Sequence, residues 1–110
     1  MYIYHMYMTL KSGILAFEWD EGNTDKNYHK HGINSKETEE MFVDEDSFVF
    51  PDVKHSQSEP RYIMLGRTFE GKKLFVVFAI RKEKIRIISA RRMHGKEVEK
   101  YENAQKNPSL

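Results

Sequence analysis

The sequence predicts an α+β fold: a mainly antiparallel sheet, two N-terminal helices and a C-terminal helix. Three observations predict it. The apolar runs "SFVF" (47–50), "RYIMLGRTF" (61–69), "KLFVVFAI" (73–80) and "IRIISARR" (85–92) follow one another, the last three through tight turns, as antiparallel neighbours do. Two helix-start signals, Asp20 and Asn34, precede them. After them, Val98, Tyr101 and Ala104 mark one side of a last helix.

Residues 1–16 are set apart as an N-terminal extension with no assigned element, residues 17–106 form a single domain, and 107–110 are a tail. The opening "MYIYHMYMTL" lacks a basic start and a small-residue cleavage site, so it does not read as a signal peptide. "FEWD" (17–20) reads as a short strand leading into a helix over 21–31, capped by the Asp20 carboxylate and stopped at Gly32. A second helix starts at Asn34, with Glu37 three residues on in the manner of a capping box. The run 47–50 is closed by Pro51, which cannot donate to a ladder, and 52–60 is a polar loop. Residues 61–69 run to a turn at Glu70–Gly71. The unbroken apolar run 73–80 reads as a central strand buried on both faces. "RKEK" (81–84) turns into 85–92, and the last helix, from about 94, ends at Asn107–Pro108.

Composition narrows the function classes. Without cysteine there is neither a disulfide framework nor a thiolate zinc site, and no apolar stretch approaches a membrane span. A cytoplasmic protein is expected. Residues 1–60 hold 5 Lys/Arg against 12 Asp/Glu, and residues 61–110 hold 13 against 5. Either the second half builds a basic surface for phosphate-rich partners, or the two halves neutralise each other across the fold. Strict alternation along 85–92 places Ile85, Ile87, Ser89 and Arg91 on one face, and Arg86, Ile88, Ala90 and Arg92 on the other. With Arg61 and Arg67 on a nearby strand, this concentration of guanidinium groups points to an anion site.

In order and spacing, "FEWD", Asn27 with "KHG" (30–32), "FVFPD" (48–52), "RY" (61–62), "LGRTFEGKKLFVVF" (65–78), "IRIISARR", Glu97 and Tyr101 resemble the BrnT-type ribonuclease toxins of bacterial type II toxin–antitoxin modules, relatives of the RelE/ParE toxins. The resemblance implies a RelE-like sheet flanked by helices, metal-independent RNA cleavage without a cofactor, and a BrnA-type ribbon-helix-helix antitoxin. It also implies that operator DNA is met only through the antitoxin complex. RNA carries its own nucleophile, the 2′-hydroxyl, so the protein must supply a base, a proton source and cations around the phosphorane. Arg91 and Arg92 are the candidate cations at the reacting phosphate. For proton transfer the sequence offers His31, Lys30, Glu97 and Tyr101. RNA contacts are expected from Arg61, Arg67, Arg86, Lys72, Lys73 and Lys96.

Plainer readings stand beside these. His31 is equally placed to cap a helix end, Glu97 to pair with Arg91 or Arg92, and Tyr101 and Trp19 to pack in the core. A metal-dependent nuclease would use Asp44, Asp46, Asp52 and Glu59 with His55, but these lie in polar turns without a recognised motif. His29 and His31, two apart on a helix, point to opposite sides. A further alternative is a degenerate, non-catalytic homologue that keeps only antitoxin or nucleic-acid binding. In the catalytic reading the last helix is weakly anchored, and an acidic, amphipathic antitoxin segment fills a groove lined by Arg86, Arg91 and Arg92.

Overall fold

The computed structural model describes residues 17–18, 31–55 and 58–106. Among them, strands β1 (Phe17–Glu18), β2 (Phe48–Pro51), β3 (Tyr62–Arg67), β4 (Lys73–Arg81) and β5 (Lys84–Arg92) form one sheet in the order β1-β5-β4-β3-β2. Helix α1 spans Ser35–Glu40 and α2 spans Gly95–Lys106. The α+β class holds, but the expected mainly antiparallel sheet with three helices is corrected to a mixed sheet with two described helices. β1 runs parallel to β5, with Phe17 beside Ile85 and Glu18 beside Arg86. A parallel neighbour needs a long crossover, and here the chain returns only after building β2, β3 and β4. The expected helix over 21–31 lies outside the described residues except for His31, which is helical. Trp19, Asp20, Lys30, the extension 1–16 and the tail 107–110 also lie outside them.

Local chemistry sets α1. The Asn34 side chain accepts from the Glu37 N–H at 2.8 Å, and the Glu37 carboxylate accepts from the Asn34 N–H at 3.1 Å, so the capping box is complete. After Glu40 the chain tightens into a 3₁₀ turn over Met41–Val43. That turn delivers Met41 and Phe42 to the core, with Ile33 from ahead of the helix. They pack on Val49, Met64, Leu74, Val76, Phe78, Ile85, Ile87 and Ala90 of the sheet. Phe42 meets Phe17 and Phe78 edge-on at 5.2 and 5.1 Å, a geometry that adds about 0.5–1.5 kcal/mol to simple burial.

The expectation that β4 is buried on both faces is met on one face and in part on the other, where Ala79 is buried. Leu74, Val76 and Phe78 are buried, whereas Phe75 and Val77 stay half-buried on the opposite face. The register between β4 and β5 also slips: Val77 pairs with Ser89 but Phe78 with Ile87, leaving Ile88 as an extra residue. This β-bulge reverses the phase of β5. Ile85 and Ile87 therefore share the core side with Ala90 and Arg92, while Arg86 shares the other side with Ser89 and Arg91. Strict alternation had joined Arg86 to Arg92. The β4–β5 turn, by contrast, falls where expected, with Lys82 and Glu83 in the left-handed region at φ 49° and 66°.

Gly66 in β3 admits the loop after α1. A Cβ there would lie 2.9 Å from the Ser47 Cβ, 3.3 Å from an Asp44 carboxylate oxygen and 3.4 Å from the Met41 methyl. Asp44 uses that approach to accept the Arg67 N–H at 3.1 Å and to reach the Tyr101 hydroxyl at 3.5 Å, linking the loop to β3 and α2. Gly66→Ala is expected to lower unfolding free energy by about 1–3 kcal/mol, the usual cost of overpacking. Denaturant titration with an unchanged m-value measures it.

Candidate active site

On the side of the sheet away from the core, alternate residues line up in three rows. The first is Phe48–Leu65–Phe75–Arg91, and the second is Phe50–Ile63–Val77–Ser89. The third extends the β2–β3 ladder by one bond, from the Asp52 N–H to the Arg61 carbonyl at 2.8 Å. It continues from Asp52 and Arg61, just past the ends of β2 and β3, to Ala79, Arg86 and Glu18 of β4, β5 and β1.

Helix α2 lies over the first row. Tyr101, 1% exposed, stacks on Phe48 with ring centroids 6.4 Å apart. The Arg91 guanidinium sits 3.9 Å over the Phe75 ring and donates two 2.8 Å hydrogen bonds to the Glu97 carboxylate. Lys73 donates to Glu102 at 2.8 Å. The helix is thus firmly held, contrary to the weak anchoring expected from its few apolar residues. Lys100 reaches beyond the first row and places its ammonium 3.9 Å over the Phe50 ring. Phe50, Ile63, Val77 and Ser89 remain half-buried.

The sequence-derived candidates divide between the two sides of the sheet. Arg61, Arg86, Arg91, Glu97 and Tyr101 belong to the face just described. Arg92 is exposed on the core side at the end of β5, near Glu37, which also forms an ion pair with Lys72. His31 is half-buried just ahead of Gly32 and the core residue Ile33. Arg86 and Arg91 thus share one face of the sheet while Arg92 stands on the other, so the three do not line one groove face as expected. Arg67 pairs with Asp46 at 3.2 Å, and Lys96 is exposed in the first turn of α2. Lys30 lies outside the described residues.

Electrostatics separate the possible roles. The Arg91 guanidinium and, after it, the His94 N–H hold the Glu97 carboxyl below its ordinary value against partial burial. Burial, helped by nearby Asp44, pushes the Tyr101 phenol up to about 12. Both groups are engaged in holding α2 to the sheet. At the third row, Arg86 donates to Glu18 at 3.2 Å, and Arg81 grips Glu59 with bonds of 2.7 and 2.8 Å. Arg81 keeps the Glu59 carboxyl below its usual range, with smaller contributions from Arg61 and Arg86.

Among the described residues, no three His, Asp or Glu side chains gather into a metal-binding group. Asp44 and Asp46 serve the loop before β2, whereas Asp52, His55 and Glu59 lie past its far end. Sequence reasoning passed over two features. One is the Lys100–Phe50 pair. The other is the contact of His55 Nδ1 with both Asp52 carboxylate oxygens, each at 3.1 Å. The Asp-x-x-His spacing was its only sequence signal.

Glu97 binds a proton less tightly folded than unfolded, so its contribution to stability is present above the unfolded value near 4.5 and is lost as pH falls through the lower folded value. The stability difference between wild type and Glu97→Gln is therefore expected to shrink as pH drops below 4.5. Paired denaturant titrations from neutral pH to acid measure it.

A family model described as "Ribonuclease toxin, BrnT, of type II toxin-antitoxin system" matches residues 19–97. Among solved structures, the ribonuclease toxin BrnT of Brucella abortus superposes with a TM-score of 0.56 at 23% identity, covering 73% of this chain and 97% of that one. That likeness is one of fold. A search of curated proteins finds no match. Among the described residues, no helix is long and apolar enough to cross a membrane.

Proposed function

The chain belongs to the BrnT family, the ribonuclease toxins of type II toxin–antitoxin systems, and on that premise we propose that it is a metal-independent endoribonuclease that inhibits growth by cutting RNA. The observation that carries this reading is the gathering of Arg61, Arg86 and Arg91 on one sheet face, beside the half-buried floor of Phe50, Ile63, Val77 and Ser89. Guanidinium groups grip phosphate oxygens in pairs, and aromatic rings stack on unpaired bases. Arg61 and Arg86 hold the scissile phosphate, while Phe50 under Lys100 receives a neighbouring base. Arg91, already clasped by Glu97, fixes α2 and adds positive potential. Arg67, Lys72, Lys73 and Lys96 guide the flanking strand.

In the cleavage step the 2′-oxygen forms a bond to phosphorus as the bond from phosphorus to the 5′-oxygen breaks. The products are a 2′,3′-cyclic phosphate and a 5′-hydroxyl, so one proton leaves the 2′-oxygen and one reaches the 5′-oxygen. The positive face stabilises the extra charge on the phosphorane. The partner that fits this reading is a ribbon-helix-helix antitoxin of the BrnA type, whose acidic segment covers Arg61 and Arg86. Operator DNA is contacted through that complex, and the site of action is the cytoplasm.

Purified protein is expected to cut an oligoribonucleotide in EDTA and to spare the same oligomer carrying 2′-deoxy sugars. A strict requirement for added Mg²⁺ overturns the mechanism. Arg86→Ala is expected to lower the cleavage rate about a hundredfold, the scale of losing one transition-state donor, with little change in melting temperature. Equal rates with a collapsed melting temperature would instead make Arg86 a structural partner of Glu18.

A further inference from the structure

We propose that His55, aimed by Asp52, is the base that takes the proton from the attacking 2′-hydroxyl, an inference that rests on the ribonuclease reading above. Asp52 is 8% exposed and stands at the end of the third row, directly beside Arg61. Cα atoms of such a hydrogen-bonded pair lie about 5.5 Å apart. The 3₁₀ turn Val53–His55 folds back so that His55 Nδ1 lies 3.1 Å from each Asp52 carboxylate oxygen. A carboxylate only accepts, so in the neutral imidazole Nδ1 carries the hydrogen and Nε2 presents its lone pair. The His55 side chain is 61% exposed, so a substrate can reach that nitrogen. A carboxylate that orients an imidazole beside an anion-binding cation is an arrangement suited to proton transfer.

The other candidates fit the role less well. Glu97 is clasped by Arg91, Tyr101 is buried between α2 and the sheet, and His31 belongs to the segment that leads into the core side. In the step assigned here, the 2′-hydroxyl proton passes to Nε2 as the 2′-oxygen bonds to phosphorus. The departing 5′-oxygen takes a proton from solvent, and the imidazolium then returns its own to solvent. No proton is consumed overall.

The test compares wild type, His55→Ala, and His55→Ala with added imidazole on one oligoribonucleotide in EDTA, alongside RNA affinity and melting temperature. A loss of about a hundredfold or more is expected, with affinity and melting temperature unchanged and activity partly restored by imidazole. If wild type cleaves and His55→Ala cleaves within threefold of it, the role of His55 is overturned while the ribonuclease reading stands. Loss without rescue, matched by an equal loss of affinity, assigns His55 to binding and also overturns it. A wild type that does not cut RNA overturns both.

Discussion

One extra residue, Ile88, decides which charges share a surface. Without the bulge, Arg91 would fall on the side of Ile85 and Ile87, where the sheet meets its core. There it would take the exposed place at the strand end that Arg92 now holds, opposite Leu74 and away from Phe75. The bulge instead seats Ala90 in the core and brings Arg91 over Phe75, within reach of Glu97. The place of Arg91 beside α2 and the alignment of Ser89 with Val77 follow from this local slip, whereas Arg86 is set opposite Ala79 by the β4–β5 turn.

The charge imbalance between the halves of the chain is largely met by pairing across the fold. Arg67 with Asp46, Lys72 with Glu37, Arg81 with Glu59 and Arg86 with Glu18 each join a base of the second half to an acid of the first. These pairs are mostly exposed or half-exposed, where water screens the attraction. They tie the halves in register more than they stabilise the fold. The same cross-chain pairing gathers Arg61, Arg81 and Arg86 around Glu59, so neutralisation and a concentrated basic site are not exclusive.

What was legible in the sequence was mostly local. Asn34 and Glu37 announce their capping box because both partners lie within one turn, and the β3, β4 and β5 runs stand out because short turns separate them. The parallel place of β1 depends on a distant strand and on two described residues, so no local pattern carries it. The bulge was hidden for a similar reason: an isoleucine suits either face, and only the partner strand shows that Ile88 is surplus. The apolar run of β4 misled because a half-covered face beneath Arg91 and α2 asks for the same residue types as a core face. Of the candidate site, the arginines were visible as a group, but their faces were not. Asp52 and His55 read as solvated loop residues until the ladder bond to Arg61 placed them beside the guanidinium row.

Ala79, fully buried between Arg61 and Arg86, gives that row its width. Two strands apart, the arginine backbones stand roughly 9–10 Å from each other. Long side chains can converge on one anion across that gap only while the residue between them is small. Anything bulkier would wedge them apart, turning one chelating pair into two isolated cations. In the ribonuclease proposed above, selectivity for a compact anion over a diffuse acidic surface would rest on the smallest side chain in the row.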